Sequence, residues 1–360
     1  MSGITIHEPE RAWQGYTLFC ESFIRPRAEG EPAHPIYLID MDGEPVHRWE
    51  VEHSLQSFCR LLPNGHLVYP TRDRAEIEGG TPGVREVDPD ANLVRYYPCR
   101  VDHDFHVLEN GNLLLHVITE NYCPPLGPGM KRQCWMIEVT PEDELVWEWR
   151  AEEHLAELRA LLGPDGWNHV MERATGEFAF DWAHNNTLQP IPSNLTAEKE
   201  KQAGHRPRFQ PGNIFFSYRS CDVIGVIERE TGHIVWAWGP GELDGQHKPH
   251  VLPNGNVLIF DNGTLRGWSR VIELNPLTEQ IEWEYRGDED HPFFSPYISS
   301  AQRLPNGNTL ICEGGNARLF EVTPEGEIVW EFRNPYHVEQ ATGTVYRCLR
   351  YPESYVAPLL

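Results

Sequence analysis

A strand-like unit ending in an aromatic residue recurs six times along this 360-residue chain. Repetition at that scale admits few architectures. Two of the units read Tyr37-Leu-Ile-Asp-Met-Asp-Gly-Glu-Pro-Val-His-Arg-Trp49 and Val84-Arg-Glu-Val-Asp-Pro-Asp-Ala-Asn-Leu-Val-Arg-Tyr96. The others close with Glu144-Leu-Val-Trp147, His233-Ile-Val-Trp236, Gln280-Ile-Glu-Trp283 and Glu327-Ile-Val-Trp330. Each reads as two alternating strands joined by a Pro, Asp, Asn or Gly turn. The aromatics Trp49, Tyr96, Trp147, Trp236, Trp283 and Trp330 stand 47, 51, 89, 47 and 47 residues apart. Only the 89 breaks the period.

A second repeat runs out of phase with the first. Leu-Pro-Asn-Gly or a variant occurs at Leu62 to Gly65, Leu108 to Gly111, Leu252 to Gly255 and Leu304 to Gly307. Asn-Gly between apolar runs is a strong hairpin signal. The missing member falls in the stretched interval, where Gln210-Pro-Gly-Asn213 is a degenerate copy. A polar insertion at about 193–208 and a helix-like insertion at about 151–170 fill the rest. In the latter, Leu155, Leu158 and Leu162 share one face. Together the repeats give four strands per unit, the signature of an all-β, six-bladed β-propeller. The first unit has strands at Gly15 to Cys20, Ile36 to Met41 and Val46 to Glu50, but no inner strand ahead of them. A C-terminal strand, Thr344 to Arg350, is expected to complete that blade and close the ring, making residues 1–360 a single domain.

In a propeller the inner strands begin at the mouth of a central channel, so chemistry is sought there. Seven residues before Asn110 stands His103, and seven before Asn254 stands His247. Ser57 and Ser299 hold the same offset in two other blades. Asp181-Trp-Ala-His184-Asn-Asn186 puts His184 at the same end of the fourth inner strand. Three consecutive blades therefore aim an imidazole at one place. Alternation returns Asn186 to the face of His184 and turns His106 and His250 to the opposite face, as packing residues between blades. Arg219 ends the second strand of blade four and is the nearest cation. Asp102 and Asp104 flank His103, either to hold its tautomer or as a solvated turn.

Composition narrows the partners. With 54 Asp+Glu against 30 Lys+Arg, the formal charge is -24, which suits neither a nucleic-acid backbone nor an anionic membrane face. The 30 Gly and 30 Pro oppose long helices, and 12 Trp, 13 Tyr and 14 Phe oppose disorder. The start, Met-Ser-Gly-Ile-Thr-Ile-His-Glu-Pro-Glu, lacks a basic and then apolar leader. No run approaches the ~20 apolar residues of a membrane span. A cytoplasmic location is expected, with the eight scattered cysteines free and mostly buried.

Three His, an Asn and an Arg support two chemistries. Neutral imidazoles His103, His184 and His247 could hold a divalent metal with an open position. Alternatively one imidazole is a nucleophile, while the other His, Asn186 and Arg219 stabilise a transferring anionic group. No phosphate loop, dinucleotide fingerprint, Gly-x-Ser-x-Gly elbow or His-Glu-x-x-His is present.

At these residues the chain resembles the arylsulfate sulfotransferases, propeller enzymes that use no nucleotide sulfate donor. The likeness is carried by Tyr37-Leu-Ile-Asp-Met-Asp-Gly43, His103-Asp104 and Asp181-Trp-Ala-His-Asn-Asn186. Downstream it includes Ser217-Tyr-Arg219, Gln246-His247, Phe260-Asp-Asn-Gly263 with Ser269-Arg270, and Ala301-Gln-Arg-Leu-Pro-Asn-Gly-Asn-Thr-Leu310. The resemblance implies a sulfuryl group passed between phenols through a sulfated histidine, with no cofactor. His247 is then the nucleophile, and His103, His184, Asn186 and Arg219 hold the sulfuryl oxygens and assist proton transfer. The expected partner is a small aromatic or anionic substrate. The alternatives are a lyase or hydrolase with a metal on His103, His184 and His247, and a propeller that binds without catalysis. Both insertions, with the loop from Cys123 to Gln133, are expected to wall the channel.

Overall fold

A computed structural model describes residues 3–23, 33–71, 82–337 and 341–360. Six sheets of four strands, one of them extended by a fifth, form the blades of a β-propeller. Contacts group the chain into two compact units, 1–102 with 297–360, and 103–296.

The first unit holds blades one, two and six. Blade two runs Arg60–Leu61, Leu67–Thr71, Gly83–Val87 and Leu93–Pro98. Blade six runs Ser300–Arg303, Thr309–Glu313, Arg318–Val322 and Ile328–Arg333. In blade one the C-terminal strand Leu349–Tyr351 pairs with Tyr16–Phe19, followed by His34–Ile39 and Pro45–Val51. The chain end thus completes the first blade as expected. The single strand read from Thr344 to Arg350 is in fact two, because Ala341–Val345 pairs separately with Glu21–Phe23. Ile4–His7, invisible to the repeat because it carries no aromatic, adds a fifth strand to blade six, with His7 opposite Trp330. It covers an edge that would otherwise template aggregation.

The second unit holds blades three, four and five. Their inner strands are Val101–Val107, Asn185–Pro190 and His247–Val251. The second strands are Leu113–Tyr122, Ile214–Tyr218 and Val257–Asp261.

The repeat has a physical content at each of its landmarks. Gly65, Gly111, Gly255 and Gly307 all take φ between +82° and +92°, which a side chain would resist. The preceding Asn64, Asn110, Asn254 and Asn306 each accept a backbone N–H two residues on, at 3.0 to 3.1 Å. The next asparagine is buried. Asn112, Asn256 and Asn308 donate to Glu138, Glu273 and Glu321 on the third strand of the same blade. The aromatics wedge neighbouring blades. Trp147 donates to the carbonyl of Arg229, and Trp330 to that of Met41. The apolar clusters lie between adjacent blades.

Glu321 also anchors the closing strand. Arg350 is buried with it, Nη1 to Oε2 at 2.5 Å, and stacks over Trp330 at 4.2 Å. Its Nε donates to Thr17 Oγ1. All eight cysteines are free, seven of them buried, in line with the expectation from their scatter. No helix among the described residues is long and apolar enough to cross a membrane.

Both insertions are present. The first forms a longer helix than periodicity indicates, Leu155–Thr175, kinked at Gly163 before Pro164. Proline ends the first half but suits the first turn of the second. The second insertion carries the helix Leu195–Gln202, capped by Asn194. Its Thr196 donates to Gly255 O, at the turn that ends the inner strand of blade five. That is the far end of the strand from His247, so this insertion does not wall the histidine end.

Removing one member of the buried Arg350–Glu321 pair leaves an uncompensated charge. Arg350→Met is expected to cost about 3–5 kcal/mol of unfolding free energy in urea titrations followed by tryptophan fluorescence. Arg350→Met with Glu321→Gln should recover much of it. An additive loss would show that the pair is not coupled.

Candidate active site

The inner strands of the second unit begin irregularly. His103, His184 and Lys248 take φ of +57°, +43° and +46°, where a non-glycine residue costs about 1–3 kcal/mol. Pairing slips between Asn185 and Leu188 in blade four, and between His247 and His250 in blade five. Such bulges re-aim side chains at strand ends. The slip in blade four spans Asn186. Its Nδ2 turns to blade five and donates to the carbonyl of Gln246, at 2.7 Å. Asn186 therefore holds the residue before His247. His250 is half-buried, with Nδ1 3.2 Å from Lys248 O.

The rings of His103 and His184 meet edge to face, centroids 4.4 Å apart, and both contribute to lowering the pKa of His247. His184 Nδ1 is 2.7 Å from Asp181 Oδ2, a carboxylate also held by Arg132 at 3.2 Å. The hairpin around Cys123 to Gln133 thus buttresses the site, since Lys131 donates to Ala174 O and Ala179 O. Arg219 follows the second strand of blade four. Its backbone N–H reaches His184 O at 3.4 Å, and its guanidinium lies 5.9 Å from the Phe178 ring centre.

The tautomer of His247 follows from its neighbours. Nδ1 lies 2.7 Å from Asn262 Oδ1 and 3.1 Å from Gly245 O. The amide of Asn262 is oriented because its Nδ2 donates to Ser295 O at 2.7 Å. Both neighbours of Nδ1 are acceptors, so Nδ1 carries the proton and Nε2 keeps its lone pair. Burial is the main force that holds the pKa of His247 well below 6.5, and the positive charge of Arg219 is the next. The result is a neutral imidazole with a fixed, unprotonated nitrogen.

Asp104 serves the neighbouring strands rather than a solvated turn. It is buried, with Oδ2 accepting Leu188 N at 3.0 Å and Lys248 Nζ at 3.2 Å. Asp102, also buried, accepts from Gln56. A small cavity of ≈ 40 Å³ lies beside Gly245, whose carbonyl faces His247 Nδ1; its wall includes Arg173, Arg219, Glu177, Asp222 and Asp244 and no histidine. The inserted helix supplies Arg173 to that wall. A larger cavity of ≈ 590 Å³ around Trp268, Arg286, Phe293 and Phe294 contains none of the histidines.

Sequence reasoning misses Asn262, Asp181 and Asp222 as members of the site. Asn262 is within its reach, because it follows the second strand of blade five as Arg219 follows that of blade four. Among the described residues, no three His, Cys, Asp or Glu side chains group as metal ligands.

The family model for arylsulfotransferase (ASST) matches residues 86–335, which include every residue of this constellation. The chain belongs to the arylsulfotransferase family. No curated protein sequence matches it. Among solved structures, a Bacteroides caccae protein of unknown function is 13% identical, with 93% of this chain and 98% of that one covered at a TM-score of 0.56. A protein from Lactobacillus plantarum is 8% identical over 94% and 100% of the two chains, at 0.47. A catalytically inactive virginiamycin B lyase from Staphylococcus aureus, with quinupristin, is 11% identical over 87% and 74%, at 0.43. The first of these bears on the fold alone. Within this arylsulfotransferase chain the constellation lies in one compact unit.

A depressed histidine pKa has a sign in stability. Above pH 6.5 both the folded and unfolded chains hold His247 neutral, and it adds no pH dependence. Below 6.5 the unfolded chain takes up a proton that the folded one refuses, so stability falls as pH falls, by up to about 1.4 kcal/mol per pH unit until the folded pKa is reached. His247→Gln should flatten the dependence of unfolding free energy on pH below 6.5. Parallel curves for the two proteins would contradict a buried neutral imidazole.

Proposed function

We propose that this arylsulfotransferase passes a sulfuryl group between phenolic compounds through a sulfated His247. The observation that carries the proposal is the fixed tautomer of His247, with Nδ1–H committed to Asn262 and Gly245. Nε2 attacks the sulfur of an aryl sulfate and the S–O bond to the aryl oxygen breaks. The phenol leaves with a proton from His184 or His103. Asp181, on Nδ1 of His184, supplies the counter-charge a proton-carrying imidazole needs. Arg219 balances charge spread over the sulfuryl oxygens. An acceptor phenol returns its proton to the same imidazole, attacks the sulfur and frees His247. Asn186 acts by holding the Gln246 peptide rather than by touching the sulfuryl group. No cofactor enters these steps. The same proposal has the protein work in the cytoplasm, which its free thiols support.

Incubation with an aryl sulfate alone, followed by peptide mass spectrometry, should find a labile sulfuryl adduct on His247. Initial rates with donor and acceptor varied together should be ping-pong. His247→Ala should lose at least about 10³-fold in rate. Absence of the adduct, together with stoichiometric metal and loss of activity to chelators, would instead favour a metal-dependent lyase or hydrolase.

A further inference from the structure

The helix Leu155–Thr175 is an insertion in the repeat, and it delivers two groups to one buried carboxylate. Asp222 Oδ2 accepts from Arg173 Nη2 and from His169 Nε2, each at 2.9 Å. Its side chain is 2% exposed. The other oxygen, Oδ1, accepts the backbone N–H of Gly245 at 2.7 Å, and the carbonyl of Gly245 accepts His247 Nδ1–H. Asp222 itself takes φ +56° and closes the tight turn that begins at Arg219. One carboxylate therefore joins the turn carrying Arg219 to the peptide that orients His247.

The backbone around it has no slack. A side chain at Gly239 would meet Asp222 O at 2.2 Å, and one at Gly245 would meet Thr264 Oγ1 at 2.7 Å. Gly245, at φ +73°, is thus fixed by sterics on one side and by Asp222 on the other. A carboxylate buried this deeply is tolerated only with a matched cation, which Arg173 provides.

We propose that Asp222 is a positioning residue for His247, and that the inserted helix is retained to hold its charge through Arg173 and His169. The proposal rests on the nucleophilic role of His247. Asp222 touches no reacting atom. It sets the carbonyl that keeps the proton on Nδ1 and the lone pair on Nε2.

The test reads the imidazole directly. In long-range proton–nitrogen spectra of ¹⁵N-labelled protein, with His247 assigned by loss of its signals in His247→Gln, the native ring should show the Nδ1–H tautomer. Asp222→Ala should move the nitrogen shifts toward a mixture of tautomers. With aryl sulfate and phenol its kcat should fall by about 10²-fold, as a displaced reacting group does, while KM holds. Arg173→Ala should shift the same signals in part, and Arg173→Lys should restore them. Unchanged His247 shifts in a folded Asp222→Ala protein would overturn the proposal. If that variant does not fold, Asp222→Gly suits the left-handed backbone and also removes the acceptor, and unchanged shifts there would overturn it equally. A native protein that transfers no sulfuryl group would instead defeat the proposed function, and the spectra would still decide the role of Asp222.

Discussion

Three inner strands meet on a single buried carboxylate. Asp104 lies beside His103 in blade three, accepts the Leu188 N–H of blade four, and pairs with Lys248, which follows His247 in blade five. Its Oδ1 takes the N–H of Phe105. A charge with no solvent exposure is stable only when its lone pairs are filled and a cation stands close. Filling them requires those three strands to stand at one spacing. The histidines ride on the same strands, so their mutual distances follow from satisfying Asp104. The left-handed backbone at His103 and Lys248 is strain held by this tie.

The acids near the histidines are paired with cations, whereas many others of the chain stand in open turns. The formal charge is -24, yet Glu142, Glu144, Glu325 and Glu327 are outward-facing acids in turns between strands. Near the histidines, Asp104, Asp181 and Asp222 are matched by Lys248, Arg132 and Arg173. Exposed charges are screened beyond about 8–10 Å at ordinary salt, so the acidic surface does little to repel a small anion already at the cavity.

Much of this is legible in the amino-acid sequence alone. Repeats with Asn-Gly turns, spaced aromatics and a stretched interval indicate six blades and two insertions, because each signal is a local steric or hydrogen-bonding demand. The shared offset of His103 and His247, with the placement of His184, locates the site because blades in register bring equivalent positions together. At Asn186 a bulge interrupts the pairing and its amide reaches Gln246 O, a contact that alternation does not indicate. A bulge costs one residue of register and leaves no mark in composition. The flanking Asp102 and Asp104 are ambiguous for a related reason, since their partners lie 46 and 144 residues away.

By itself, the sequence determined the blade, its turns, the wedge aromatics and the strand ends where the histidines stand. These are set by φ preferences, period-2 burial and hydrogen bonds within a few residues. Only the tertiary structure decided which nitrogen of His247 carries its proton, which end of the fold each insertion covers, and which acid pairs with which cation. Those outcomes hang on contacts such as Asn262 with Ser295, Asp222 with Gly245 and Arg173, and Asp104 with Lys248. Each joins groups that no local preference relates, and each forms because burial leaves a polar atom no water to turn to.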